Sequence, residues 1–265
     1  MAAGGIRRDG WTTGNGVVRV SMMRVLDLFS GIGGFSLGLE RTGGFRTVAF
    51  CEIDPFCRRV LAKHWPKVPC YHDVNMLTKD QLDADGISVD VICGGFPCQD
   101  ISNAGLQAGI RADRSGLWFQ YARIISEIRP RFVIVENVAA LLARGMGDVL
   151  GTLAEIGYDA EWSVISACAM GSPQTRERVW IVAYPMCERL EGLHDARQRI
   201  HMQSASQYFR WDWQAQPDVY RKSDGFPNAM DAIKSLGNAV VPQIPELIGR
   251  AIMEAEPLPQ GNLFG

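Results

Sequence analysis

The feature that most constrains the fold is an apolar run that ends in a glycine-rich turn and a cysteine. Residues 89–99 read VDVICGGFPCQ, in which the apolar half predicts a buried strand and the following turn carries Cys98. In an open α/β sheet, ligands bind just beyond the carboxyl ends of the strands. Pro97 lacks a backbone donor and has a fixed φ, which stiffens the turn beside the thiol. The stretch predicts either a nucleophilic Cys98 or a buried cysteine that packs as a small apolar side chain.

The overall composition excludes several classes of protein. The chain of 265 residues is 47% hydrophobic and 21% charged, which is ordinary for a soluble globular protein. A net charge of −2 provides no global basic field, so a nucleic acid would have to bind to local patches. The seven cysteines are odd in number and lack C-x-x-C spacing, no secretory signal precedes them, and no apolar run approaches the length of a membrane span. We therefore expect a protein of the reducing cytoplasm that has no membrane partner.

A strand, a glycine-rich turn and a helix start predict a cofactor site near the beginning of the chain. The strand at residues 24–29 runs into a turn in which Gly31 and Gly33 would let a nucleotide-type ligand approach the backbone. The next strand, at residues 47–51, leads directly to Glu52, an acidic residue about 20 positions after the glycines. Glu52 is thus placed either to bind ribose hydroxyls or to cap the following helix.

Further along the chain, a carboxylate and two arginines follow or connect predicted strands. Glu136 ends the apolar strand at residues 131–135, where a carboxylate is costly unless it has a partner or a function. Arg176 and Arg178 lie between two predicted strands and project to the same side of an extended segment, which suits a base or a phosphate. The alternatives are a helix-capping Glu136 and a solvated edge on which Glu177 pairs with an arginine.

The remaining pattern predicts one catalytic domain with a small irregular lobe. Helices are predicted at residues 54–64, with Asp54 as the N-cap, and at 117–128, 149–156 and 244–255. Residues 100–115 read as a lid over the site or as an ordinary surface loop. The predicted regions are a disordered leader (1–21), a catalytic and cofactor-binding domain (22–183), a reduced target-recognition lobe (184–235), a C-terminal segment that packs back on the catalytic domain (236–256) and a tail (257–265).

Taken together, these side chains suit methylation of cytosine at carbon 5. A thiolate that adds to carbon 6 makes carbon 5 enamine-like, and a protonated Glu136 can assist at ring nitrogen 3. Arginines can hold the oxygen at carbon 2 while carbon 5 attacks an electrophilic methyl group. Loss of the carbon 5 proton and expulsion of the thiolate then restore the aromatic ring. A base within a duplex must flip out of the helix to reach such a site.

The chain resembles the DNA (cytosine-5)-methyltransferases of the bacterial and phage type. Five motifs carry the resemblance, occur in the order typical of that family and extend over about residues 24–253. They are DLFSGIGG (27–34), GFPCQ (95–99), ENV (136–138), QTRER (174–178) and LGNAVVP (236–242).

The resemblance implies a fold, a cofactor and a role for each matched residue. The implied fold is α/β, a doubly wound and mostly parallel sheet with one antiparallel strand. The implied cofactor is S-adenosylmethionine, without a metal ion. Cys98 would be the nucleophile, Glu136 the acid at ring nitrogen 3, and Arg176 and Arg178 the side chains that hold the flipped cytosine. The implied cofactor contacts are Phe29, Gly31, Gly33, Glu52 for ribose, Ile53 and Asp73 for adenine, Pro97 and Leu117 for the methionine part, and Asn238 and Ala239.

One departure from the family pattern concerns the recognition lobe. The interval at residues 184–235 is much shorter than the sequence-reading lobe of the family, which puts site specificity, DNA affinity and turnover in doubt. The expected partners are double-stranded DNA and a cognate restriction endonuclease, for a monomer encoded by a bacterium or phage. The open alternatives are a cofactor- or DNA-binding homologue without turnover, an RNA cytosine-5 methyltransferase, and a nicotinamide dehydrogenase, which would leave Cys98 and Glu136 without roles.

Overall fold

The computed structural model describes four ranges of the chain, residues 22–97, 116–171, 175–186 and 239–255, and two short strands before them. These strands, β1 (Trp11–Thr13) and β2 (Gly16–Val18), pair antiparallel within the expected leader. The rest of the leader, the expected lid and most of the expected recognition lobe lie outside the described residues. The division of the chain into these regions therefore stays a prediction.

A seven-stranded sheet forms the centre of the described fold. Its strands are β3 (Met23–Leu28), β4 (Phe45–Cys51), β5 (Cys70–Tyr71), β6 (Val91–Gly94), β7 (Phe132–Val138), β8 (Tyr158–Ser166) and β9 (Glu177–Pro185). Their order across the sheet is β5-β4-β3-β6-β7-β9-β8, and β9 pairs antiparallel with both of its neighbours whereas the other pairs are parallel. The predicted mostly parallel sheet with one antiparallel strand is confirmed.

Helices flank both faces of this sheet. They are α1 (Gly34–Arg41), α2 (Pro55–His64), α3 (Lys79–Ala84), α4 (Leu117–Ile128), α5 (Leu141–Arg144), α6 (Met146–Glu155), α7 (Gln243–Ala255) and a 3₁₀ helix (Ala167–Met170). As predicted, Asp54 caps α2, since its Oδ1 accepts hydrogen bonds from the backbone N–H groups of Phe56 at 2.8 Å and Cys57 at 3.0 Å. Within the described ranges, no helix combines the length and the apolar character that crossing a membrane requires.

Two buried clusters, one on each face of the sheet, hold these layers together. Alternate residues of β3 point to opposite faces, so Leu26 packs with α4 and α6, while Val25 packs with α1 and α7. On the second face, the buried isoleucines Ile244 and Ile248 bring the C-terminal helix against α1, beside the turn that follows β3. The doubly wound layering thus places the segment before α7 next to the predicted cofactor turn, where a Cβ on Gly34 would lie 2.6 Å from the Val240 carbonyl oxygen.

Candidate active site

The predicted site residues that the structure describes lie along one edge of the sheet, where the parallel strands end. The strand order reverses between β3 and β6, because the chain proceeds outward to β5 from β3 and in the opposite direction from β6. A crevice at such a switch point is where open α/β sheets bind their ligands. The glycine turn after β3 and the Gly-Gly-Phe-Pro turn after β6 flank this point.

The turn after β3 is held in left-handed backbone conformations, which favour glycine. Phe29, Gly31 and Gly33 all have positive φ, of 52°, 53° and 87°. A Cβ on Gly33 would lie 2.7 Å from the ring of Trp65, whereas a Cβ on Gly31 would meet no atom within 4 Å. The turn is therefore packed from behind by Trp65 and open at Gly31, which leaves room for a ligand against the backbone.

Glu52 holds this turn to the end of the neighbouring strand. Its Oε2 accepts a hydrogen bond from the backbone N–H of Gly31 at 2.7 Å, and its Oε1 accepts one from the N–H of Asp54 at 2.7 Å. The helix-capping alternative for Glu52 is wrong, because Asp54 caps α2. Each carboxylate oxygen can accept a further hydrogen bond, so Glu52 retains the capacity to bind ribose hydroxyls.

The other predicted cofactor residues lie along the same edge. Ile53, which follows β4, is 62% exposed, and Asp73 follows β5, the next strand across the sheet. One oxygen of Asp73 accepts hydrogen bonds from the backbone N–H of Asn75 at 2.9 Å and from its side chain at 2.8 Å. Leu117 begins α4, and Pro97 is exposed at the end of a described range. Asn238 and Cys98 lie outside the described residues.

A carboxyl and two guanidinium groups share a small cavity between β7, β9 and the segment before α7. Arg178 Nε lies 2.8 Å from Glu136 Oε1, with 22% and 12% of the two side chains exposed. Arg176 and Ala239 line the same cavity. The structure thus brings together Glu136, Arg176 and Arg178, and Arg178 pairs with Glu136 rather than with the Glu177 carboxylate.

The electrostatics of this cluster raise the pKa of the Glu136 carboxyl group. Burial raises the pKa of Glu136, and the positive charges of Arg178 and Arg176 only partly offset that rise. Burial and the neighbouring Arg178 in turn lower the pKa of Arg176. A carboxyl with a raised pKa and a guanidinium within hydrogen-bonding distance can both donate to a ring nitrogen and an adjacent oxygen.

The turn that leads to Cys98 touches this carboxyl group directly. A Cβ on Gly95 would lie 2.7 Å from Glu136 Oε2, so a larger residue at this position would displace the Glu136 carboxyl group. Gly95 comes three positions before Cys98 in the sequence. The chain therefore reaches the predicted nucleophile from a position in contact with the predicted acid.

Sequence reasoning missed two polar residues of this edge, Asp27 and Asn137. Asp27 is fully buried, and its Oδ2 accepts hydrogen bonds from the Ser36 hydroxyl at 2.7 Å and the Ser36 N–H at 3.3 Å. Burial nevertheless raises the pKa of Asp27 to about 7. Asn137 is 3% exposed and donates a hydrogen bond to the Phe96 carbonyl. The available signal was a polar residue within an otherwise apolar strand in both cases.

A family model described as C-5 cytosine-specific DNA methylase matches residues 23–216. Among curated proteins, the chain is 37% identical over 169 residues to the Type II methyltransferase M2.BsuMI of Bacillus subtilis, covering 61% of this chain and 42% of that protein. It is 32% identical over 166 residues to the Type II methyltransferase M.HhaI of Haemophilus parahaemolyticus, covering 61% of this chain and 49% of that protein. The match thus spans less than half the length of these relatives.

Solved structures show the same fold. A prophage-encoded protein of E. coli, described as a DNA modification methyltransferase, superposes with a TM-score of 0.52 at 26% identity, over 62% of this chain and 47% of that one. The Dnmt2 methyltransferase of S. pombe superposes with a TM-score of 0.55 at 20% identity, over 67% of this chain and 54% of that one. The second likeness concerns the fold alone.

Proposed function

Because the chain belongs to the C-5 cytosine-specific DNA methylase family, we propose that it transfers a methyl group from S-adenosylmethionine to carbon 5 of cytosine in DNA. The observation that supports this proposal best is the cavity in which Glu136 meets Arg178 at 2.8 Å, with Arg176 beside them. Such a cluster offers a proton donor and fixed positive charges on one side of a planar base. A nicotinamide dehydrogenase would leave both Cys98 and Glu136 without an assigned role.

In the proposed reaction, Cys98 and Glu136 act on opposite ends of the same ring. The Cys98 thiolate forms a bond to carbon 6 while the Glu136 carboxyl gives its proton to ring nitrogen 3. Arg176 and Arg178 hold the oxygen at carbon 2 and stabilise the negative charge that develops there. After methylation, carbon 5 loses its proton to solvent, the Cys98 thiolate leaves carbon 6, and Glu136 takes back the proton from nitrogen 3.

The cofactor proposal depends on the open turn after β3. The positive φ of Gly31 with no atom near its missing Cβ, and the buried Glu52 at the adjacent strand end, suit an adenosyl group held against the backbone. Phe29, Gly33, Ile53 and Asp73 would line the adenosine part. Pro97 and Leu117 would line the methionine part, and Asn238 and Ala239 would contact the cofactor from the segment that packs back beside β3. Bound S-adenosylmethionine would supply an electrophilic sulfonium methyl group to carbon 5.

The proposed macromolecular substrate is double-stranded DNA with a flipped cytosine. The relatives M2.BsuMI and M.HhaI are named Type II methyltransferases, and by analogy we propose a cytoplasmic monomer that acts beside a cognate restriction endonuclease. Residues 184–235 would form a reduced recognition lobe, and residues 236–256 would pack back on the catalytic domain at residues 22–183. A short lobe offers fewer phosphate contacts, so we expect weaker binding with a shallower salt dependence than a full-length lobe would give.

The test is transfer of a tritiated methyl group from S-adenosylmethionine to duplex DNA. We expect the wild-type chain to label DNA and to form a covalent adduct with duplexes that contain 5-fluorocytosine. Cys98→Ala should abolish both signals, because alanine has no thiol that could form the bond to carbon 6. The matched control is Cys168→Ala, since Cys168 is a free and exposed thiol whose loss should leave both signals unchanged.

Two outcomes would contradict the proposal. An adduct that persists in Cys98→Ala would mean that another residue is the nucleophile. Absence of both label and adduct with the wild-type chain would favour the second candidate, a cofactor- or DNA-binding homologue without turnover. That candidate is favoured by one observation, the short interval at residues 184–235.

A parallel assay with tRNA distinguishes RNA methylation from DNA methylation, and bisulfite sequencing of DNA from expressing cells would report the target site.

A further inference from the structure

Glu136 and Asn137, two consecutive residues at the end of β7, contact the turn that follows β6. These side-chain contacts lie beyond the point where the backbone pairing of β6 and β7 ends. The parallel ladder between the two strands stops at Gly94 and Val135. Beyond it, the Glu136 carboxyl reaches the position of Gly95, and the Asn137 amide reaches the carbonyl of Phe96. Side chains thus hold the turn that follows β6 where backbone hydrogen bonds no longer do.

The Asn137 amide is used at both of its ends. Its Nδ2 donates to the Phe96 carbonyl at 3.0 Å, and its Oδ1 accepts a hydrogen bond from the backbone N–H of Val138 at 2.9 Å. Only one orientation of the amide satisfies a carbonyl and an N–H group together. The bond to its own strand therefore fixes the rotamer that presents the donor to Phe96.

Phe96 is held at its ring as well as at its carbonyl. The ring is 3% exposed and lies 5.1 Å from the ring of Trp118, which stacks on Tyr121 at 5.7 Å. Pro97 follows with a fixed φ, so the direction in which the chain enters Cys98 depends on how Phe96 is oriented. The hydrogen bond from Asn137 fixes that orientation relative to Glu136, its immediate neighbour on β7.

We propose that Asn137 is a positioning residue, which sets the backbone leading to Cys98 against the Glu136 carboxyl. This inference rests on the proposed function, in which Cys98 and Glu136 act on one ring. Asn137 itself lies on the face of β7 opposite to Glu136 and does not line the cavity that Glu136 shares with Arg176 and Arg178. Displacement of a reacting group by about 1 Å can reduce a rate by about 100-fold, so a second anchor for the turn is expected to affect the chemical step.

The test compares Asn137→Ala with Tyr158→Phe. Tyr158 also donates a buried side-chain hydrogen bond to a backbone carbonyl, that of Pro130 at 2.7 Å, but at the other edge of the sheet. In single turnovers with saturating cofactor, we expect Asn137→Ala to reduce the rate of methyl transfer by at least about tenfold. The rate of adduct formation should fall to a similar extent. The affinity for S-adenosylmethionine should change by less than about twofold, and Tyr158→Phe should lose stability but not rate.

Two further measurements test the role of Asn137 independently of protein folding and of the proposed function. In Asn137→Asp, a protonated carboxyl can donate to the Phe96 carbonyl and a carboxylate cannot, so its rate relative to wild type should fall as pH rises. Alkylation of Cys98 by iodoacetamide, followed by peptide mass mapping, should change by at least about threefold in Asn137→Ala, while that of the exposed Cys168 stays constant. A wild-type chain without methyl transfer would defeat the proposed function, and the alkylation ratio would still decide the role of Asn137.

The inference is overturned by any of three results. The first is a methyl-transfer rate for Asn137→Ala that falls no more than that of Tyr158→Phe. The second is a ratio of Asn137→Asp to wild type that does not change with pH. The third is a Cys98 alkylation rate that is the same in wild type and Asn137→Ala.

Discussion

Carboxyl groups at the two edges of the central sheet have pKa values shifted in opposite directions. At the edge where the parallel strands begin, Asp90 accepts hydrogen bonds from the backbone N–H, Nε and Nη2 of Arg24, each at 2.8 Å. This pairing lowers the pKa of Asp90. At the edge where the strands end, burial raises the pKa of both Asp27 and Glu136 despite their hydrogen-bonding partners. At the edge where the strands begin, an ion-paired carboxylate with a lowered pKa stabilises the fold. At the edge where the strands end, the carboxyl groups have raised pKa values.

This difference indicates where the proposed chemistry reduces the stability of the folded state. A carboxyl that is buried without full compensation destabilises the folded state when it ionises. Such groups are concentrated at functional sites because perturbed pKa values suit proton transfer. The paired edge is expected to contribute stability without affecting methyl transfer, whereas the edge with Glu136 should affect methyl transfer strongly.

The largest effect, on the rate of methyl transfer, is expected for Glu136→Gln at the edge where the parallel strands end. Glutamine keeps the shape of the side chain but cannot transfer a proton to ring nitrogen 3, so single-turnover methyl transfer should fall by about 100- to 10,000-fold. The control is Glu177→Gln, since Glu177 is an exposed carboxylate between the same two arginines. If Glu136→Gln were as active as Glu177→Gln, the proposed acid would be wrong and the two edges would not differ in function.

The elements that were predictable from sequence are those determined by local interactions. The bounds of α4 follow from helical periodicity, and the start of α2 follows from Asp54 and Pro55, which are adjacent in sequence. Glu136, Arg176 and Arg178 were predicted to share a site because each follows or connects a strand at the same edge. Strand β5 and helices α3 and α5, in contrast, contain six residues or fewer and are too short to show a period.

The contacts within the site were not predictable because they depend on the register between distant strands. The hydrogen bond from Asn137 to Phe96 spans 41 positions and exists only because β6 pairs with β7 in one register. The close approach of Gly95 to Glu136 has the same origin. A sequence pattern shows that Asp27 interrupts an apolar strand, but its raised pKa results from the helices packed on both faces of the sheet.

An intermediate effect, on stability rather than activity, is expected for Asp27→Asn. The folded-state pKa of Asp27 is raised to about 7, so its contribution to stability is fully present below about pH 4 and is lost as pH rises to about 7. Asparagine does not ionise, and it keeps an oxygen to accept from Ser36. Urea denaturation should show the stability of the variant relative to wild type rising by about 4 kcal/mol between pH 4 and pH 8. Parallel pH profiles for wild type and variant would contradict the raised pKa.

The smallest effect is expected for Asp90→Asn at the paired edge, with the opposite dependence on pH. The folded-state pKa of Asp90 is lowered, so its ion pair with Arg24 stabilises the fold above the unfolded-state pKa and is lost as pH falls through the folded-state value. Because 39% of the Arg24 side chain is exposed, solvent screening limits the loss at pH 7 to about 1 kcal/mol. Urea denaturation at pH 7 and pH 3 measures this loss, which should shrink at the lower pH and in high salt, while methyl transfer stays at the wild-type rate. If methyl transfer fell as well, the paired edge would be coupled to the site, and the separation of stability from function between the two edges would not hold.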